Sequence, residues 1–379
     1  MSTSDDDEFL SARSDDSSDD GIDALDATDP GDHAYLGEDV GVERPSTAYV
    51  NPGSVIELPL VVLPQIVIFP GETLPLRMLS SATIQLITLR TRLRQQFDTF
   101  VVINTLSPPV GHVGTIVQIE RIYEQHEVHL SIVGRGCQRV RLESVSRGRN
   151  AILETPYATV QVLPDHHALP APFPWKRRSF GHWRTAEYNL FDGRALVRKA
   201  QTILSTSADW HHFAGTASSL LEAATSPPPE DPTQYSYWLS AHVHMILPER
   251  QALLSVNCTV RRLRLLIAWL QEHTSSIQCA GCHAILGATA DIFSTAAGAA
   301  GVGTFVNPGG HVHQILTMHS VKMEHVHFEG RPTSRDTWFP GYTWQCMYCT
   351  PCGAFIGWRY ASRRLTPHVF YGLVRAAIQ

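Results

Sequence analysis

Residues 58–76 read LPLVVLPQIVIFPGETLPL, an apolar run cut by Pro59, Pro64 and the Pro70-Gly71 pair. Just upstream, Ile56, Leu58 and Leu60 alternate with Glu57 and Pro59. Further on, Val128, Leu130 and Ile132 alternate with Glu127, His129 and Ser131, and Val140 and Leu142 follow across Gly134-Arg135-Gly136. Period-two alternation with Gly and Pro at short intervals predicts a half-buried antiparallel sheet or barrel from Val55 to about Leu163. Gly134 and Gly136 do not open a nucleotide loop, because Arg139 stands at the third glycine position and no helix follows. They are read instead as a tight hairpin connection.

Beyond residue 185 the period changes. Leu253, Val256, Val260, Leu263, Ile267 and Leu270 step by three and four, which places them on one helical face behind Pro248. Arg261, Arg262 and Arg264 fall mostly off that stripe. A second helix is expected around Gly193–Ser205, and the Pro227–Pro232 run reads as a loop. A helical part therefore follows the sheet.

The chain has 379 residues, of which 43% are hydrophobic and 17% charged, ample for two or three domains with buried cores. Its net charge of −6 is concentrated in a tail. Residues 1–50 hold 15 Asp and Glu against two Arg, leaving 21 acidic and 28 basic residues in the remainder. Residues 1–53 carry Asp/Ser/Glu runs without a periodic apolar pattern. Such a segment cannot bury enough surface to offset ordering entropy, so it is expected to be disordered. The N-terminal MSTSDDDEFL has neither the basic region nor the apolar stretch of a signal peptide. Residues 292–318 are uncharged, but five Gly, Pro308 and Asn307 make them a poor membrane span. The expectation is a chain with no membrane association.

The three lysines, Lys176, Lys199 and Lys322, follow Trp, Arg and Val, so no Gly-Lys-Ser/Thr phosphate loop is present and P-loop ATPases are excluded. Five of the seven cysteines lie between Cys279 and Cys352, a crowding that suits reduced metal ligands better than a secreted disulfide framework. Cys279-Ala-Gly-Cys282 and Cys349-Thr-Pro-Cys352 are two Cys-x-x-Cys knuckles. Together they supply four thiolates for one tetrahedral zinc with no open position, hence a structural one. Cys346 forms an overlapping third pair with Cys349. Cys349 and Cys352 are preferred, because Gly353 directly after them suits the knuckle turn. Trp338, Trp344 and Trp358 lie nearby with Phe339, Tyr342 and Tyr360. Such a group forms either ordinary core or a compact apolar box for a small flat ring.

Three stretches carry a family resemblance. LPLVVLPQIVIFPGETLPL, VGRGCQRVRL (133–142) and ILPERQALLSVNCTVRRLRLLIAWL (246–270) resemble the N-terminal domain of the ATP-dependent Lon proteases, whose ATPase and protease parts are missing here. NPGGHVHQILT (307–317), GRPTSRDTWFPGYTW (330–344), the CTPC knuckle and GWRY (357–360) resemble the thalidomide-binding (CULT) module of the cereblon family. In order and spacing, residues 55–379 resemble that family throughout. The resemblance implies an α+β multidomain chain: a disordered acidic tail (1–53), a Lon N-terminal-like domain (54–273) and a zinc-bound β-tent CULT domain (274–379). Within the Lon-like domain it implies a β part (54–165) and a helical adaptor-binding part (185–273).

It further implies a cage of Trp338, Trp344 and Trp358 around a glutarimide-like ring, with Tyr360 where the family usually has Phe, and Asn307 and Pro308 lining it. Asp336 stands where family members commonly carry His. Because that position bonds the imide largely through its backbone, the site should survive. The implied function is non-catalytic: substrate receptor of a cullin-4-type RING ubiquitin ligase, in nucleus and cytoplasm. Its implied partners are a β-propeller adaptor of the damaged-DNA-binding protein family, proteins carrying cyclic-imide degrons and glutarimide small molecules, with no direct nucleic-acid contact. Two alternatives belong to other classes. A B-type methionine sulfoxide reductase would share the zinc-knuckled fold but needs a catalytic cysteine in the last strands, and no cysteine follows Cys352. A free-standing Lon-like adaptor would keep the zinc module as decoration.

Overall fold

The computed structural model describes residues 33–36, 49–78, 99–125, 130–147, 156–167, 189–207, 209–210, 228–272, 275–293 and 301–379. Six strands form the first sheet: β1 (Val55–Val62), β2 (Thr73–Met78), β3 (Thr99–Ile103), β4 (Val113–Gln125), β5 (Leu130–Arg147) and β6 (Pro156–Val162). Their order is β2-β5-β4-β3-β1-β6, and β6 also pairs with β5, closing the sheet on itself as a barrel. The 18-residue β5 makes closure possible, since its first half pairs with β2 and β4 and its second half with β6. Closure leaves fewer free sheet edges to cover.

The hairpin expected at Gly134-Arg135-Gly136 does not form; the segment runs through the interior of β5. The glycines answer a different demand. A Cβ on Gly134 would lie 2.5 Å from Val117 Cγ1, and one on Gly136 would lie 2.4 Å from the Phe69 carbonyl oxygen. Their role is close backbone approach inside a strand, which sequence alone does not separate from a turn.

Four helices follow: α1 (Gly193–Thr206), α2 (Pro232–His242), α3 (Leu247–Leu254) and α4 (Thr259–Glu272). The helix expected at 193–205 is present. The apolar stripe from Leu253 to Leu270 is shared by two helices, with the chain breaking at 255–258 before α4 resumes the period. The described end of the proline run is also helical in part: Asp231 caps α2 through Thr233 N (2.9 Å) and Gln234 N (2.9 Å), and Pro232 takes the first turn. Pro227 lies outside the described residues.

Arg262, read as off the stripe, is fully buried. Its guanidinium lies 3.8 Å from the Tyr237 ring centroid and donates to Ser236 Oγ (2.8 Å) and the Val256 carbonyl (2.8 Å). Asp165 Oδ1 accepts from Arg139 Nη2 (2.9 Å) and Tyr237 Oη (2.6 Å), with Arg262 Nη2 at 3.5 Å. Arg139 belongs to the barrel and Arg262 to α4, so one carboxylate ties sheet to helices.

The C-terminal region is a second sheet in the order β11-β12-β13-β14-β10-β9, beside a hairpin of β7 (Ser276–Gln278) and β8 (Ile285–Ala288). Its strands are β9 (Val302–Val306), β10 (Val312–Met318), β11 (Val326–Thr333), β12 (Thr343–Cys349), β13 (Phe355–Ala361) and β14 (Val369–Val374), all paired antiparallel. The architecture is the expected one: β domain, helices, then a β-rich module.

Most of the acidic tail lies outside the described residues, but His33–Leu36 is a buried exception. It forms a 3-10 turn whose Leu36 is fully buried with Tyr123 and Val133 of the barrel and Val306 of β9. Tyr35 Oη accepts from Val306 N at 3.2 Å. The turn is therefore wedged between the two sheets.

Candidate functional site

Both cysteine knuckles stand at a strand end and turn alike. Cys279 follows β7, with Cys279 N donating to the Ala284 carbonyl (2.9 Å) and His283 N to the Cys279 carbonyl (2.8 Å). Cys349 ends β12, with Cys349 N donating to the Ala354 carbonyl (2.8 Å) and Gly353 N to the Cys349 carbonyl (2.8 Å). The residue after each second cysteine is left-handed, His283 at φ +60° and Gly353 at φ +70°.

The four sulfurs of Cys279, Cys282, Cys349 and Cys352 lie within 4.8 Å of one another, with Cys279–Cys352 at 3.7 Å and Cys282–Cys349 at 3.5 Å. A tetrahedron with Zn–S bonds of about 2.3 Å has S–S edges of about 3.8 Å, so the sulfurs already stand at zinc spacing. Burial, and then the hydrogen bond with Cys282, push the Cys349 thiol well above its usual range. Four thiols this close ionise together only around a cation. The donor set fits one structural zinc, held by these four residues. Cys346 is not among them: it sits within β12, opposite Glu329 on one side and Trp358 on the other.

On the same sheet, Trp344 pairs with Tyr360 and Cys346 with Trp358 across β12 and β13. Directly paired residues share a face, so Trp344 and Trp358 are diagonal neighbours on one side of the sheet. Trp338 comes from the loop before β12 and meets Trp358 edge-to-face at 4.8 Å between centroids. It stacks on Phe305 at 5.3 Å and donates from Nε1 to the Val306 carbonyl (3.0 Å). Trp344 Nε1 donates to the Arg335 carbonyl (2.8 Å), tying that loop to the sheet. Both indoles are thus fixed by backbone acceptors. Trp338 is buried, whereas Trp344 and Trp358 remain partly exposed. Tyr360, paired with Trp344 in the same aromatic cluster, is only 2% exposed, stacked on Phe370 at 4.8 Å and edge-on to Phe339 at 4.7 Å. Burial raises its phenol far above the ordinary range, so it is neutral.

Asn307 and Pro308 occupy the turn between β9 and β10. Asn307 Oδ1 accepts from His311 N (2.9 Å), which closes the turn next to the Val306 carbonyl that receives Trp338. Asp336 is exposed, left-handed at φ +54°, with Oδ2 3.4 Å from Arg335 Nε. Asp is one of the few residues that enters this region at small cost. Two neighbours escaped the sequence reading: His313 lies 5.2 Å from Trp358 and 5.8 Å from Trp338, and Phe355 lies 5.0 Å from Trp358. The alternation of His311, His313 and the aromatic strand positions carried that signal weakly.

Comparison with known proteins follows the two-part architecture. The family described as "ATP-dependent protease La (LON) substrate-binding domain" matches residues 57–272, more than half of the chain. The family described as "Yippee zinc-binding/DNA-binding /Mis18, centromere assembly" matches residues 275–372. Protein cereblon of Xenopus tropicalis is 26% identical over 422 residues, covering 98% of this chain and 88% of its own length. Protein cereblon of Danio rerio is 27% identical over 402 residues, covering 93% and 87%. Among solved structures, the N-terminal domain of a Mycobacterium avium complex Lon protease aligns over 58% of this chain and all of its own, at 14% identity and a TM-score of 0.39. The cereblon resemblance read from the motifs is borne out along nearly the whole chain. The chain belongs to the LON substrate-binding domain family.

Proposed function

We propose that this LON substrate-binding family member is the substrate receptor of a cullin-4-type RING ubiquitin ligase, recognising cyclic-imide groups on proteins in nucleus and cytoplasm. It performs no bond chemistry. Its helical part, 185–273, docks on a β-propeller adaptor, and its aromatic cluster holds the imide so that the attached protein is presented for ubiquitin transfer. The observation that carries this reading is the pairing, in one chain and in the order of the cereblon relatives, of a LON substrate-binding match with a zinc-held module bearing the Trp338–Trp358 contact at 4.8 Å.

The physical case is one of size and pre-organisation. Two indoles locked by backbone acceptors lose little entropy on closing around a small ring. Trp338, Trp344 and Trp358 supply apolar walls above the Tyr360 floor, with Asn307 and Pro308 at the rim. The imide's polar edge bonds backbone groups near Asp336 and Trp338, where the left-handed turn exposes them. Apolar burial contributes about 25 cal/mol per Å², and a ring of about eight heavy atoms has a ceiling of about −12 kcal/mol at roughly −1.5 kcal/mol per atom; micromolar affinity, about −8 kcal/mol and well inside that ceiling, is expected.

Calorimetric titration with glutarimide tests the reading. Trp344→Ala opens one wall and should weaken binding at least tenfold with zinc retained, whereas Asp336→His should change it far less. Equal affinity in wild type and Trp344→Ala would make the tryptophans ordinary core. Failure of a β-propeller adaptor to co-purify would leave only a free-standing adaptor.

A further inference from the structure

The acidic tail is anchored beside the aromatic cluster. Residues 1–32 hold 12 Asp and Glu against one Arg, and they lead directly into the buried turn His33–Leu36. His33 and Tyr35 each meet the Phe305 ring at 6.3 Å between centroids, and Phe305 in turn stacks on Trp338. Tyr35 Oη and Trp338 Nε1 bond the two sides of one residue, the N–H and the carbonyl of Val306. A single ring therefore lies between the end of the tail and the first tryptophan.

Around Trp344 the exposed charge has the opposite sign. Segments 330–337 and 361–368 together carry four Arg and one Asp. Both stand at the end of the sheet where β12 begins, since Thr333 pairs with Trp344 and Ala361 with Thr343. Arg335 is fixed at the cluster by its carbonyl, which accepts from Trp344 Nε1, while its side chain is 90% exposed. Arg331 follows Gly330, whose carbonyl accepts from Gln345 Nε2 (2.8 Å). Arg363 and Arg364 occupy the turn after Ala361, and Leu365 packs that turn against the aromatic cluster. All four arginines are exposed. Asp336 lies 3.4 Å from Arg335, whereas Arg331, Arg363 and Arg364 make no ion pair among the described residues.

The tether brings these opposite charges within reach. Thirteen residues from Asp20 to His33 span about 20 Å as a coil and at most about 45 Å when extended. Fixing one end of the segment beside Phe305 raises its effective concentration at the neighbouring surface, so several weak ion pairs add without a separate association cost.

We propose that the acidic segment 15–32 of this chain docks across the arginine-lined end of the zinc module, over Arg331, Arg335, Arg363 and Arg364, and screens the rim of the tryptophan cluster. On the imide reading, the covered rim turns acidic and favours proteins with basic surfaces next to the imide. The docking itself does not rest on that reading.

The test uses the full-length, zinc-loaded chain with photoreactive p-benzoylphenylalanine in place of Ile22, and no imide is added. Irradiation should produce an intramolecular cross-link to the segments holding residues 330–344 or 361–368, located by mass spectrometry. Raising salt from about 0.01 M to about 1 M shrinks the screening length from about 30 Å to about 3 Å, and the yield should fall at least about fivefold. The paired changes Arg331→Glu and Arg335→Glu should lower it as much at low salt. Neutralising the tail through Asp19→Asn, Asp20→Asn, Asp23→Asn and Asp26→Asn should do the same without touching the folded part. Zinc content and circular dichroism verify that each variant is folded. Arg194→Glu with Arg198→Glu, on α1, should leave the yield unchanged. Cross-links to α1 or α4, cross-links only between chains, a yield indifferent to salt, or one that survives both charge changes would each overturn the assignment.

Discussion

The barrel-and-helix region and the zinc region are both tied by polar side chains brought from distant stretches of chain, with opposite charge arrangements. In the first, one carboxylate, Asp165, serves two buried guanidiniums, Arg139 and Arg262, whose side chains are fully covered. In the second, four cysteines from segments 66 residues apart converge on one cation, and zinc belongs to the fold. A buried ion pair returns little net stability beyond its desolvation cost, but breaking it is expensive. Zinc binding, by contrast, is itself folding free energy. The two regions should therefore fail separately and by different amounts.

The largest effect is expected at the metal. Chelation, or Cys279→Ser, removes a contribution on the order of 10 kcal/mol from the C-terminal module. Tryptophan near-ultraviolet dichroism from that module should collapse while the barrel persists, and elemental analysis should show the zinc gone. Cys346→Ser should keep a full equivalent of zinc. Retention of zinc by Cys279→Ser would reassign the ligand set.

The second break falls on the arginine tie. Asp165→Asn keeps the shape and removes the charge, leaving Arg139 and Arg262 buried without a carboxylate. The cost of stranding a buried partner is about 3–5 kcal/mol, and the 28% side-chain exposure of Asp165 puts this case near or below the lower end, about 2–3 kcal/mol. Urea unfolding followed by far-ultraviolet dichroism measures it, and zinc content should not move. A loss below about 0.5 kcal/mol would mean that solvent already screens the pair.

These two ties differed in how far they could be read in advance. The cysteines announced themselves, because thiolates at a two-residue spacing have few other uses and the geometry of a tetrahedron fixes what they must do. Arg139, Arg250 and Arg262 gave no such signal, although all three lie inside the stretches that carry the Lon resemblance. An arginine off an apolar stripe reads as solvated until the partner that covers it is known, and Asp165 lies 97 residues from Arg262. Gly134 and Gly136 misled for a related reason: local sequence specifies a need for no side chain, whereas the backbone that causes it comes from β4 and the 66–69 segment. The tryptophans were legible as a group. Their division into a buried Trp338 and partly open Trp344 and Trp358 required the strand register.

A third test separates the regions by pH. His242 Nδ1 donates to the Trp238 carbonyl at 2.6 Å, and its lowered pKa of about 4 keeps the ring neutral when folded. The unfolded chain, with an ordinary imidazole near 6.5, binds the proton first, so stability is full above that value and falls as pH drops from about 6.5 toward 4. The loss attributable to this ring is up to ~3 kcal/mol, reduced to the extent that the half-buried ring reaches solvent. His242→Gln should flatten that part of the urea-measured stability profile. An unchanged slope would place the acid sensitivity elsewhere.

The smallest effect compares the two halves of the metal site with each other. Gly353 and His283 hold equivalent left-handed turns, yet only one is glycine. A Cβ on Gly353 would meet nothing within 4 Å, so Gly353→Ala incurs the conformational penalty alone, about 1 kcal/mol or slightly more. Because the turn forms together with the metal site, that penalty should appear as roughly fivefold weaker zinc binding in competition with a chromophoric chelator. His283 already bears the same conformational cost in the wild-type chain, offset by its contact with Gln379. His283→Gly removes cost and contact together and should shift zinc affinity by less than Gly353→Ala does. If the two substitutions weaken zinc equally, the turns are not equivalent, and the His283 side chain holds its knuckle through contact instead of conformation.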